Sequence, residues 1–196
     1  DQILFAGVST NLLANLARRI CLASDNRQRF FPSVRILLTG NPVRQNWLHT
    51  KLTPEEARKS LGLRPDVKTI LVIGGSLGAR TLNESVLSER VHLEAHPEVQ
   101  ILWQTGGYYK DAIAKRLKTE GQPDNLVVTD FVTDMGAAYA AADLVISRAG
   151  ASSISELALL GKPAILVPSP NVAEDHQTHN ALALVDKEAA LYGKDS

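Results

Sequence analysis

The sequence predicts an α/β protein, a Rossmann-like parallel sheet with helices on both faces. Short β-branched runs alternate with longer segments of helical spacing, the arrangement of parallel strands joined by crossover helices. Two of the loops that follow such runs, at 74–79 and 148–153, are rich in glycine, alanine and serine and lead into helical segments. Apolar residues make up 44% of the 196 positions, enough for a sizeable core.

The elements follow in order. Ser9 or Thr10 can cap a helix carrying Leu12, Leu13, Leu16 and Ala17, with a strand at 20–23 behind it. A turn through 25–29 leads to a strand at 34–39, ended by Gly40-Asn41-Pro42. From Val43 to Asp66 the chain turns polar and reads as an interdomain connector. Within it, Thr53-Pro54-Glu55-Glu56 is a strong helix start: a cap, a proline at the first helical position, and acids facing the positive helix end. Gly62 stops that helix and Pro65 closes the segment. Strand-like runs come next at 69–73, 100–104, 126–129, 144–147 and 164–167. Helical patterns separate them at 79–93, 108–120, 135–142 and 153–160, a last helix spans 177–188, and a new strand starts near Leu191. The chain opens at Asp1 without an initiator methionine and stops soon after that new strand, so a fragment of a longer protein is expected.

Charge and cysteine content narrow the function. Twenty-one Lys and Arg balance 21 Asp and Glu, so nothing announces a nucleic-acid or acidic-membrane partner. Cys21 is the one cysteine, which rules out an intrachain disulfide; its apolar neighbours suggest a small core residue in a reducing, cytoplasmic setting. No apolar run approaches the ~18 residues of a membrane span, and no secretory signal is present.

Ligands of such sheets bind beyond the carboxyl ends of the strands, which directs attention to the loops starting at Gly74, Thr105, Asp130, Arg148 and Pro168. Gly74-Gly-Ser-Leu-Gly-Ala79 can bring backbone close to a ligand and offer helix-start amides to a phosphate, or be a plain strand-to-helix turn. It is not the dinucleotide fingerprint: Ser76 stands where the second glycine belongs, and Gln104 and Thr105 stand where a ribose-binding acid would. No Gly-Lys-Ser/Thr loop occurs. At the second junction, Ser153-Ile-Ser-Glu156 fits a capping box. Alternatively Glu156, read as lying in the first turn, meets the vicinal hydroxyls of a ribose while the amides hold a diphosphate. Phe131-Val132 could present backbone to a base or pack in the core. The polar cluster at 171–180 could bind sugar hydroxyls or be a solvated cap. His176 and His179 have metal-like spacing, but without a thiol or third ligand no metal site is expected. Neither an Asp-x-Asp pair nor a Gly-x-Ser-x-Gly elbow is present.

Five motifs stand in order: Gly40-Asn-Pro-Val-Arg44, Gly74-Gly-Ser-Leu-Gly-Ala-Arg80, Asp130-Phe-Val-Thr-Asp-Met135, Arg148-Ala-Gly-Ala-Ser-Ser-Ile-Ser-Glu156 and His176-Gln-Thr-His-Asn-Ala181. With their spacing they resemble the bacterial MurG family over essentially the whole chain. The resemblance implies a GT-B fold of two Rossmann-like domains. It also implies inverting transfer of GlcNAc from UDP-GlcNAc to undecaprenyl-pyrophosphoryl-MurNAc-pentapeptide in peptidoglycan synthesis, on the cytoplasmic face of the inner membrane, with no metal or other cofactor. Residues 1–43 would be the tail of the N-terminal, acceptor-side domain, 44–66 the connector, and 67–196 most of the donor-binding domain. Carried over by position, Arg44 and Ser76 would contact the diphosphate or sugar, and Val132 would meet uracil through its backbone. Ala151, Ser152, Ser153, Ile154 and Ser155 would line the diphosphate, Glu156 would bind the ribose and Gln177 the GlcNAc hydroxyls. The general base, the site for the lipid-linked acceptor and most of the membrane contact would lie upstream of Asp1, and the last helices beyond Ser196. No catalytic residue is therefore expected in this chain, which should bind donor weakly and not turn over. The alternatives are a UDP-sugar 2-epimerase of the same fold, an NAD-linked oxidoreductase, disfavoured by the missing fingerprint, and a non-catalytic nucleotide-sugar-binding module.

Overall fold

The computed structural model describes residues 12–22, 31, 33–43, 51–170 and 175–195. Near the start, β1 (Ile20–Leu22) and β2 (Ile36–Leu38) pair in parallel, with Ile20 opposite Ile36. Leu22, Ala14 and Phe31 form a small core beside them. Residues 12–14 are helical. The proposed cap at Ser9 or Thr10 and the turn at 25–29 lie outside the described residues, as do 171–174 of the polar cluster. Cys21 is exposed, against the expectation of a core position. Side chains alternate along a strand, so when Leu22 turns inward its neighbour faces the other way.

The helix expected inside the connector forms as α1 (Pro54–Ser60). Thr53 Oγ1 accepts the Glu56 N–H at 3.2 Å and Glu56 Oε2 accepts the Thr53 N–H at 2.9 Å, a complete capping box. The helix is not isolated. Ala57 and Leu63 are buried in the main hydrophobic core. Arg58 Nε donates to Ala141 O at 3.1 Å, Nη1 to Pro65 O at 2.8 Å, and Nη2 meets Asp143 Oδ2 at 2.8 Å. The buried Gln100 side chain pairs with both the N–H and the C=O of Arg64. From Thr53 onward the chain is therefore built into the same body as the main sheet. Burial raises the pKa of Asp143, but the Thr69 N–H, Lys68 and Arg58 outweigh it and hold the carboxyl below its usual range.

That sheet has six parallel strands: β3 (Lys68–Ile73), β4 (Val99–Gln104), β5 (Leu126–Thr129), β6 (Leu144–Ser147), β7 (Ala164–Leu166) and β8 (Leu191–Tyr192). Their spatial order is β5-β4-β3-β6-β7-β8. Parallel strands covered on both faces need near-continuous apolar runs, and β3 supplies one, buried from Leu71 to Ile73. The remaining helices are α2 (Arg80–Glu94), α3 (Lys110–Glu120), α4 (Met135–Ala141), α5 (Ala151–Leu160) and α6 (His176–Val185). Alternation divides the core. Leu71, Ile73 and Val145 pack with α1, α4, α5 and α6, whereas Val72 and Trp103 pack with α2 and α3. The α/β expectation, with helices on both faces, holds. The chain leaves β3 for β4 and β5 on one side, then returns to place β6, β7 and β8 on the other. Ile73 lies opposite Ser147, so the strand order reverses between β3 and β6. Such reversal points open a crevice at the carboxyl edge.

Candidate functional site

The loops leaving β3 and β6 stand side by side at that crevice. After β3, the chain makes a turn in which the Gly78 N–H donates to Gly75 O at 3.0 Å. Gly78 has φ +89°, and a Cβ there would sit 2.1 Å from Thr105 O; Gly106, with φ +82°, backs onto the same turn. The two loops thus touch backbone to backbone, a contact that side chains would forbid. Asn83 fixes the arrangement from α2, donating to Thr105 O at 2.9 Å and accepting from the buried Trp103 Nε1 at 3.0 Å. Gln104, 4% exposed, ties the loop after β3 to the one after β5: its Nε2 donates to Gly75 O, and its Oε1 accepts the Val132 N–H, both at 2.9 Å.

After β6, the helix starts earlier than the sequence suggests. Its N-cap is Gly150, in extended backbone, and the first intrahelical bond runs from the Ile154 N–H to Gly150 O at 3.0 Å. The amides of Ala151, Ser152 and Ser153 precede that bond and belong to the helix's unpaired start. Ser153 is therefore not the cap and Glu156 is not in the first turn, so the capping-box reading of Ser153 and Glu156 fails. Glu156 lies half-buried in the second turn, where its Oε2 accepts the hydroxyl of Tyr139 at 3.0 Å. Tyr139 is buried in α4; burial first, and then the neighbouring carboxylate, push its pKa far above the ordinary phenol value.

These groups border one cavity of about 890 Å³. Of the residues singled out in the sequence, Ser76, Val132, Ser152, Ser153, Glu156 and Gln177 line it. Ala151, Ile154 and Ser155 do not. Ile154 packs against the core, and the Ser155 hydroxyl donates to Ala151 O at 2.8 Å and accepts from Asn41 Nδ2 at 2.9 Å. A helix turns 100° per residue, so a run of five cannot all face one cavity. Arg44 lies outside the described residues. Val132 is buried with its N–H committed to Gln104, which leaves its carbonyl as the group of that residue's backbone a ligand could use. Gln177 Oε1 accepts the Ser169 N–H at 2.9 Å and so points its NH₂ end elsewhere. Arg148 reaches the cavity but is held in an ion pair, with Asp195 Oδ2 at 2.5 Å; its Nη1 also donates to the carbonyls of Val167 and Pro168. The same Asp195 accepts from Thr81 in the first turn of α2.

Sequence reasoning missed three contributors. Gln104 carried a signal, as a polar residue ending an apolar strand that is buried on both faces. Tyr139 carried a weaker one, a bulky residue in a helix built mainly of Gly and Ala. Asp195 carried none, because its pairing with Arg148 spans 47 positions. Among the described residues, no three His, Cys, Asp or Glu side chains come together, and no helix is long and apolar enough to cross a membrane.

Comparison with known proteins places the chain in a family. The model of the glycosyltransferase family 28 C-terminal domain matches residues 69–196. The UDP-N-acetylglucosamine--N-acetylmuramyl-(pentapeptide) pyrophosphoryl-undecaprenol N-acetylglucosamine transferase of Bacteroides fragilis is 58% identical over 196 residues, covering 100% of this chain and 52% of the relative. The protein of the same name from Cytophaga hutchinsonii is 49% identical over 195 residues, covering 100% of this chain and 51% of the relative. The crystal structure of Acinetobacter baumannii MurG superposes with a TM-score of 0.65 at 33% identity, covering 99% of this chain and 52% of that one. A UDP-N-acetylglucosamine 2-epimerase superposes with a TM-score of 0.64, covering 95% of this chain and 48% of that one; at 14% identity this shows a shared fold alone. The chain thus spans about half the length of the curated relatives it matches. The MurG resemblance read from the five motifs and the GT-B-like fold are both borne out.

Proposed function

The chain belongs to the glycosyltransferase family 28 C-terminal domain family, and from that premise we propose that it is the donor-binding half of an N-acetylglucosaminyltransferase of peptidoglycan synthesis. The whole protein transfers GlcNAc from UDP-GlcNAc to undecaprenyl-pyrophosphoryl-MurNAc-pentapeptide, the acceptor in its relatives' names. It works at the cytoplasmic face of the inner membrane, where the lipid-linked acceptor is held by the other domain. The chain described here binds donor and does not turn over alone.

One observation carries this reading: two helix starts and the Glu156 carboxylate open onto a common cavity at the strand-order reversal. Each helix start presents roughly half a positive charge and unpaired amides, suited to phosphoryl oxygens. The amides of Ser152 and Ser153, with Ala151 beside them in the same helix start, hold the diphosphate from one side, and the Ser76 loop with the start of α2 holds it from the other. Arg44 adds a positive charge there. Ile154 and Ser155 serve by shaping the helix start. Glu156, one turn deeper, accepts both ribose hydroxyls. Val132 accepts uracil N3–H through its carbonyl, and the Gln177 amide donates to a GlcNAc hydroxyl.

The chemistry divides between domains. The acceptor hydroxyl attacks the anomeric carbon from the side opposite the diphosphate and inverts it, while its proton passes to a base on the other domain. As the bond from the anomeric carbon to the diphosphate oxygen breaks, charge grows on the β-phosphate. Preorganised amides stabilise that charge in the transition state without a metal. The test is a calorimetric or NMR titration of the chain with UDP-GlcNAc and with a GDP-sugar. The uridine compound should bind more tightly, and equal affinities would remove the assignment. Incubation with donor and lipid-linked acceptor should give no product from this chain alone.

A further inference from the structure

We infer that Tyr139 is a positioning residue that orients the Glu156 carboxylate for the ribose. The inference rests on the donor-binding reading and deepens it, by assigning the orientation of the ribose-binding group to a side chain outside the motifs.

The sequence of α4 makes this possible. Apart from Met135 and Tyr139 it consists of glycine and alanine, so the helix packs closely and one ring fills the space toward α5. Tyr139 is 2% exposed and its hydroxyl donates to Glu156 Oε2 at 3.0 Å. The helix that carries it is held at both ends. Asp134 Oδ1 accepts the Ala137 N–H at 2.9 Å, and the buried Arg58 donates to Ala141 O at 3.1 Å. The phenol therefore approaches Glu156 from the core side, on a helix anchored at both ends. A glutamate side chain has several rotamers, and fixing one on binding opposes affinity. A hydrogen bond from a rigid, buried donor does that ordering in advance. Burial and the adjacent carboxylate keep the phenol protonated through neutral pH, so it stays a donor.

The experiment compares Tyr139→Phe with the unsubstituted chain, using UDP, 2′,3′-dideoxy-UDP and inorganic pyrophosphate as probes. The substitution keeps the ring and removes the hydroxyl. UDP affinity should fall roughly tenfold, as expected for losing about one hydrogen bond to a charged group. Pyrophosphate and the dideoxy nucleotide should bind as before, and Tyr139→Phe should cost nothing further in a Glu156→Gln chain. Equal losses for all three probes, or no loss for UDP, would overturn the inference. The unsubstituted chain supplies a variant-free reading: the Tyr139 ζ-carbon resonance should move on adding UDP but not pyrophosphate, and a resonance indifferent to UDP would also overturn it. If the unsubstituted chain binds dideoxy-UDP as tightly as UDP, the ribose role of Glu156 fails first and the inference goes with it.

Discussion

Replacing Gly78 with alanine probes the backbone contact on which the cavity is built. A residue with a Cβ at φ +89° carries roughly 1–2 kcal/mol of backbone strain. The new methyl would also sit 2.1 Å from Thr105 O, a backbone atom held in place by Asn83 at 2.9 Å. Overpacking of this kind costs about 1–3 kcal/mol, as the loops must move apart. The sum, about 2–5 kcal/mol, corresponds to a fall in Tm of roughly 4–20 °C for a chain of this size. Gly75→Ala is the internal control. Its φ is +85°, but an added Cβ meets nothing within 4 Å, so it carries the backbone strain without the collision. Urea and thermal unfolding followed by circular dichroism should rank Gly78→Ala well below Gly75→Ala. Equal destabilisation of the two would refute the claim that the Gly78 and Gly106 turns are locked together.

Three further outcomes are expected. Glu156→Gln should weaken UDP by about 1.5–3 kcal/mol while leaving pyrophosphate unchanged in calorimetry, since a charged acceptor is lost only to the ribose; the reverse ranking would contradict its role. Asp143→Asn should flatten the acid limb of stability. The folded-state pKa of Asp143 lies below the unfolded value, so its contribution is present above about pH 4 and disappears as pH falls through the folded value. Urea midpoints for the two chains should therefore converge below pH 4, and a constant gap down to low pH would count against the Arg58–Asp143–Lys68 network. Asp195→Ala should raise pyrophosphate affinity, because it removes a negative charge from the cavity and releases Arg148 from its ion pair. A drop in affinity would show that Asp195 orients Arg148 instead.

Much of the fold was legible because its signals are local. The five strand-like runs match β3 to β7 within about a residue at each end, as expected when apolar runs must be covered on both faces. The helix at Thr53-Pro54-Glu55-Glu56 was legible for the same reason, since its cap and acids interact within four residues. The start of α5 was misread because Ser153-x-x-Glu156 has the spacing of a capping box, whereas the turn out of β6 places Gly150 at the cap. That choice is tertiary, and the small residues at 151–153 tolerate either start. Ser76, Glu156 and Gln177 could be named from motif and resemblance. The bonds that position the cavity could not, because Gln104, Asn83 and Tyr139 act across 17 to 29 positions. The burial of Arg58 and Leu63 was hidden by a segment whose average composition is polar.

The central claim, that amides at two neighbouring helix starts hold a uridine diphosphate, is tested most directly by ¹H–¹⁵N shift mapping with UDP. The largest changes should fall on the amides of Arg80 and Thr81 at the start of α2 and on those of Ser152 and Ser153 at the start of α5, with smaller ones at Ser76, Val132 and Glu156. Changes confined to the apolar groove of Leu144, Leu157, Leu184 and Leu191 at the other end of the strands, or silence at both helix starts, would contradict the account.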